Sequence, residues 1–175
     1  MATDVEKDHV PNKWALGAGI GFFMLMALFW IAIFSGVFNH RNPDKLYDES
    51  WVAKAEKICA PAATTIKNLP NASTSKTPAD RSELLNRGTA ALEPMIAELR
   101  ARPAPDRASD RTVVNGYLAD WKIYLQDRRN FAQALLSDAH AQPLETEVHG
   151  GWVSDAIDAM ANANDIPDCA TPDDM

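Results

Sequence analysis

Apolar positions follow two different rules along this chain. From Trp14 to Phe38, WALGAGIGFFMLMALFWIAIFSGVF, 25 residues run without a charge. As a helix this stretch reaches roughly 37 Å, against a hydrocarbon core of about 30 Å, so the pattern predicts a transmembrane helix. Beyond it, apolar residues return every three or four positions in three long stripes and one short one. The fold class expected is therefore all-α: one N-terminal transmembrane helix, then an antiparallel bundle of three long helices plus a short one.

The first stripe, Trp51, Ala55, Ile58, Cys59, Ala62, Ile66 and Leu69, predicts a helix from about Asp48 to Leu69. Pro61 should kink it and Pro70 should stop it. The second helix, about Pro78 to Ala101, carries Leu84, Leu85, Gly88, Ala91, Leu92, Met95, Ile96 and Leu99 on its apolar face. Pro94 removes a rung midway, which predicts a kink or two short helices. The third, Arg111 to Ser137, is the most strongly patterned, with Val114, Tyr117, Leu118, Trp121, Leu125, Ala132 and Leu135 in line, widened by Tyr124 and Phe131. Asp110 is its expected cap. Between Pro143 and Val153 short alternation and Gly150-Gly151 suit either a small hairpin or an irregular loop. A short helix, Ser154 to Ala163, closes the series.

These patterns divide the chain into a disordered cytoplasmic tail (1–13), a transmembrane signal anchor (14–38), a juxtamembrane connector (39–50), an extracytoplasmic helical domain (51–170) and an acidic tail (171–175) expected to fray. The apolar run is too long for a cleaved signal peptide, and bulky Phe34 occupies the −3 position of a cut after Gly36, so the anchor is retained. The net charge of −7 is uneven. The 46 residues after Arg129 contain no Lys or Arg but nine acids, which argues against nucleic acid as a partner there.

Orientation rests on two opposing signals. Arg41, Lys45, Lys54 and Lys57 follow the span, against Lys7 and Lys13 before it, and nominally hold the large domain inside. That rule is weak for large following domains. The only two cysteines, Cys59 and Cys169, both lie in the domain, near its two ends. Such a pair suits a disulfide, which persists outside the cytosol; the alternative is two unrelated buried thiols. The outside placement is the expectation.

Chemistry is sparse. Gly17, Gly21, Ala32 and Ser35 share one face of the span, with Gly17-x-x-x-Gly21 and Ala32-x-x-x-Gly36 as small-residue pairs that let helices pack closely. Ser73-Thr74-Ser75-Lys76 matches the S-x-x-K of penicillin-binding enzymes, but Pro78 follows at once and no companion motif occurs, so the match is accidental. His140 and His149, near Glu145 and Glu147, lack metal-ligand spacing. No catalytic, cofactor or metal residue is expected. Arg128, seven residues after Trp121, falls on the apolar face of its helix. A buried Arg requires a counter-charge, either an anionic ligand bound beside Trp121 or an internal carboxylate.

Three segments carry a resemblance: Asp48-Glu49-Ser50-Trp51-Val52-Ala53-Lys54-Ala55-Glu56-Lys57-Ile58-Cys59, Tyr117-Leu118-Ala119-Asp120-Trp121-Lys122-Ile123-Tyr124-Leu125-Gln126-Asp127-Arg128-Arg129, and Asn164-Asp165-Ile166-Pro167-Asp168-Cys169. In these the chain resembles a family of uncharacterised actinobacterial single-pass membrane proteins. The resemblance implies one anchor, an extracytoplasmic helical domain and a Cys59–Cys169 bridge, and no activity. Met160 stands where such proteins often have an aromatic residue. The function expected is a non-enzymatic accessory subunit of a membrane or cell-envelope complex, contacting lipid through 14–38 and a protein partner or a second copy of itself. The alternative is an extracytoplasmic sensor or ligand-binding domain that uses Arg128 and Trp121.

Overall fold

The computed structural model describes residues 13–34 and 42–174; in the first helix, side chains are described for Gly19 and for 21–34. The chain divides into two units, Met1–Arg41 and Asn42–Met175. In the first, helix α1 spans Lys13–Phe34. Its bulky side chains Phe22, Phe23, Leu25, Phe29 and Phe34 are all exposed. The side chains described from Gly21 to Phe34 cover about 21 Å of helix, short of a bilayer core. Among the described residues no helix is long and apolar enough to cross a membrane. The span expected over 14–38 extends beyond those side chains at both ends. Gly17, Gly21 and Ala32 belong to α1, whereas Ser35, Gly36, the tail 1–12 and residues 39–41 lie outside the described residues.

The second unit is built from α2 (Glu49–Lys67), α3 (Pro78–Ala101), α4 (Ala108–Ser137) and α5 (Val153–Ala163). Local chemistry sets the starts. Asp48 accepts the Trp51 N–H at 2.9 Å to cap α2, and Thr77 accepts the Asp80 N–H ahead of Pro78, whose missing N–H costs nothing in a first turn. Ser82, early in α3, donates to the Ala132 carbonyl late in α4, while Arg100, late in α3, donates to the Leu118 carbonyl early in α4. The two helices therefore run antiparallel. Trp51, Ala55 and Cys59 from α2 meet Leu92, Met95 and Leu99 from α3, Tyr117, Trp121 and Tyr124 from α4, and Ile157 from α5 in one core. A smaller cluster gathers Leu85, Phe131 and Leu135 around Ala72.

Cys59 and Cys169 are bonded, their Cα atoms 5.1 Å apart, which joins α2 to a 3₁₀ turn at Pro167–Cys169. The Tyr117 hydroxyl donates to the Cys169 carbonyl at 2.7 Å and fixes that turn onto α4.

Both internal prolines lie inside single helices: α3 is one helix through Pro94, not two short ones, and α2 continues through Pro61. Pro94 and Ala90, and Pro61 and Lys57, are exposed, so water can satisfy the carbonyl that each proline leaves unbonded. Three other expectations change. Helix α4 begins at Ala108 without a side-chain cap, because Asp110 is turned away to hold the Tyr47 and Asp48 N–H groups at 2.8 and 2.9 Å. Residues 42–48 are accordingly part of the domain rather than a free connector: Leu46 is buried, and its N–H donates to Asn164. Finally, Thr171 and Asp174 are fastened down rather than frayed; Met175 lies outside the described residues. The segment before α5 forms the hairpin, with β1 (Glu147–Val148) antiparallel to β2 (Gly151–Trp152) across a two-residue turn.

Candidate functional site

Arg128 is the charge the sequence places in the core, and it is fully buried there. Three helix positions and the C-terminal segment surround it. Its Nε donates to Thr89 Oγ1 at 3.1 Å and its Nη1 to the Tyr124 hydroxyl at 3.4 Å. Both terminal nitrogens grip the Asp174 carboxylate, Nη1 on Oδ1 and Nη2 on Oδ2, the latter at 2.8 Å. A two-pronged guanidinium–carboxylate contact is the strongest pairing available to arginine. Burial opposes the charge on Arg128, but the Asp174 contact outweighs it and holds the guanidinium above its usual pKa. Burial also pushes the Tyr124 hydroxyl up to about 12, with Arg128 opposing, so it stays protonated at neutral pH.

Gly88 makes the site sterically feasible. A Cβ there would stand 2.9 Å from Arg128 Nη2 and 3.0 Å from Asp174 Oδ2. The guanidinium is pinned by three partners and has no room to yield, so the backbone of α3 must be bare at this point.

Trp121, the other residue singled out with Arg128, is fully buried, with the Tyr117 and Tyr124 rings edge-on at 6.3 and 5.5 Å. A cavity of about 350 Å³ opens nearby between Ile66, Leu92 and the segment Pro172–Asp174, but neither Arg128 nor Trp121 lines it. An anion could reach Arg128 only by displacing Asp174. The arrangement is an internal ion pair that clamps the C-terminal segment, the second of the two roles open to a buried Arg.

Three further acids fasten backbone in the same manner. Asp110 holds residues 47 and 48; burial pushes its carboxyl up, but the Tyr47 and Asp48 N–H bonds prevail and leave it below the usual range. Asp127 takes the N–H and hydroxyl of Thr146, at 2.7 and 3.0 Å. Asp158 takes those of Thr171, at 2.7 and 3.0 Å. The sequence reading gave Asp110 only the role of a helix cap and assigned no role to Asp127 or Asp158. The signal was available: Asp110 and Asp127 sit at the helical phase of the apolar stripe, the argument that identified Arg128.

Other candidates come apart. Ser73 and Thr74 lie in a 3₁₀ turn, Ala72–Thr74, with Lys76 beyond it, so no helix presents the serine to the lysine. Among the described residues no group of three or more His, Cys, Asp or Glu side chains is placed to hold a metal ion. No family model, curated protein or solved structure matches the chain.

Proposed function

We propose that this chain is a membrane-anchored accessory protein, non-enzymatic, that carries a disulfide-closed helical domain on the extracytoplasmic side for contact with an envelope partner or a second copy of itself. The observation that supports it most is α1. Every large apolar side chain described there, Phe34 at 80% exposure among them, faces outward, while the helices of the second unit bury their apolar faces. Exposed apolar surface of that extent in water is costly, and lipid removes the cost. The bridged cysteines agree with an oxidising compartment, and Leu144 and Trp152 leave apolar surface uncovered on the domain. The expectation taken from the actinobacterial single-pass proteins agrees with this reading. The burial of Arg128 and Trp121 and the Arg128–Asp174 pair count against the sensor alternative.

Alkaline carbonate extraction of cells expressing the full-length protein tests the anchor. The protein is expected in the pellet, and the pair L25R/F29R should shift it to the supernatant, since each central Arg costs about 2.5–3.5 kcal/mol of insertion. Crosslinking before solubilisation should then retain a partner or a dimer. A wild-type protein that extracts freely, or that runs as a lone monomer after crosslinking, contradicts the proposal.

A further inference from the structure

Asp120 differs from the two other buried aspartates of the domain, Asp110 and Asp127. Asp110 and Asp127 each accept backbone and side-chain hydrogen bonds; Asp120, with its side chain nine-tenths buried, accepts none from any described residue. The nearest group able to carry positive charge is His149 Nε2, at 3.9 Å from Oδ1, beyond hydrogen-bond reach. Burial pushes the Asp120 carboxyl above the usual carboxylate range, with His149 only partly opposing.

The carboxylate lines a groove of about 720 Å³ between α4 and α5. Its apolar lining includes Val113, Gly116 and Met160, joined by the Ser109 and Thr112 hydroxyls, with Asp44 as a second acid, His149 as the one lining group able to carry positive charge, and no Lys or Arg. Gly116 stands in the interior of α4, where glycine costs roughly 0.5–1 kcal/mol relative to alanine. Nothing in the fold explains that cost, because a Cβ at Gly116 would meet no atom within 4 Å. The chain thus gives up stability twice at one place, through a largely desolvated carboxylate that no protein donor holds and through a glycine facing empty space. A functional site is where such costs are retained.

We propose that the α4–α5 groove binds an organic ammonium ion, with the charge on Asp120 and an apolar body lying over Gly116 against Val113 and Met160. Both acids attract a cation, the apolar walls accept a hydrocarbon chain, and the volume suits a small ligand. An ammonium supplies the charged donor that no protein group offers Asp120, in a place where a charge-assisted hydrogen bond is strong. The same chemistry is offered by a free amine and by a lysine side chain of another protein. The inference does not depend on how the chain meets the membrane.

The test is a titration of full-length protein in non-ionic detergent, followed by NMR at the amides of Gly116, Asp120 and His149. The probes are hexylamine, N-acetyl-lysine methylamide and hexanol. Hexylamine or the lysine derivative should bind saturably with shifts confined to the groove, and hexanol should not. Asp120→Asn should weaken amine binding at least roughly tenfold while raising thermal stability at neutral pH. Gly116→Leu fills the groove and favours the helix, so it should fold and abolish binding with Asp120 intact. Tighter binding of the lysine derivative assigns the cation to a protein side chain, and tighter hexylamine binding assigns it to a free amine. Equal binding of hexanol, absence of saturation by both amines, or wild-type affinity in both variants overturns the proposal.

Discussion

One oxygen of Asp110 holds two backbone N–H groups, from Tyr47 and Asp48, and so decides where the domain begins. Its carboxyl is depressed in the folded state. A depressed carboxyl contributes stability that is present above the unfolded value of about 3.9 and lost as pH falls through the lower, folded value. Asp110→Asn keeps an acceptor oxygen but cannot titrate. Urea melts from pH 6 to pH 2 should therefore show a shallower acid loss of stability for D110N than for wild type; parallel curves would contradict the assignment. At this scale the sequence was legible where a residue breaks its surroundings. Arg128 stood out as a cation on an apolar stripe. Its partner Asp174 did not, because nothing local distinguishes it from Asp173; only the fold brings it to Arg128 across 46 positions.

The helices were legible because their stripes are long; whether Pro94 would break its helix stayed open, because a pattern does not show which face a proline occupies. Pro61 and Pro94 are both exposed. The hairpin was half legible. Alternation from Leu144 to Val148 suggested it, but the turn was decided by backbone angles: φ is +52° at His149 and +84° at Gly150. Positive φ at both central positions is the hairpin turn whose twist matches paired strands. Gly150→Ala should therefore destabilise the hairpin by about 1–2 kcal/mol. His149→Asn, which favours the same turn, should leave it as stable or more so. Hydrogen exchange at the Val153 N–H, which bonds Thr146 across the hairpin, reports both; unchanged protection in G150A would show that the turn is not strained.

For the whole molecule, the bridge has the longest reach. Cys59 and Cys169 are 110 positions apart, and closing such a loop removes unfolded-state entropy equivalent to about 4–5 kcal/mol. That is a large share of the roughly 5–15 kcal/mol that holds a domain together. The sequence held both cysteines, and with only two the pairing was simple; what it could not show was that Tyr117 and α5 carry Cys169 to α2. The groove was hidden for a related reason. Gly116 and Asp120 are unremarkable in sequence and meet Met160 only when α4 and α5 pack.

The account depends most on the bridge existing in cells, since a domain kept in the cytosol would hold free thiols. The most direct measurement is thiol trapping of the full-length protein: acid quenching of cells, blocking of free thiols in denaturant, reduction, then labelling with a maleimide-polyethylene glycol. Two adducts that form only after reduction are the predicted result, and they agree with a domain outside the cytosol. Complete blocking of both cysteines before reduction would contradict it, and the domain would then belong on the cytoplasmic side.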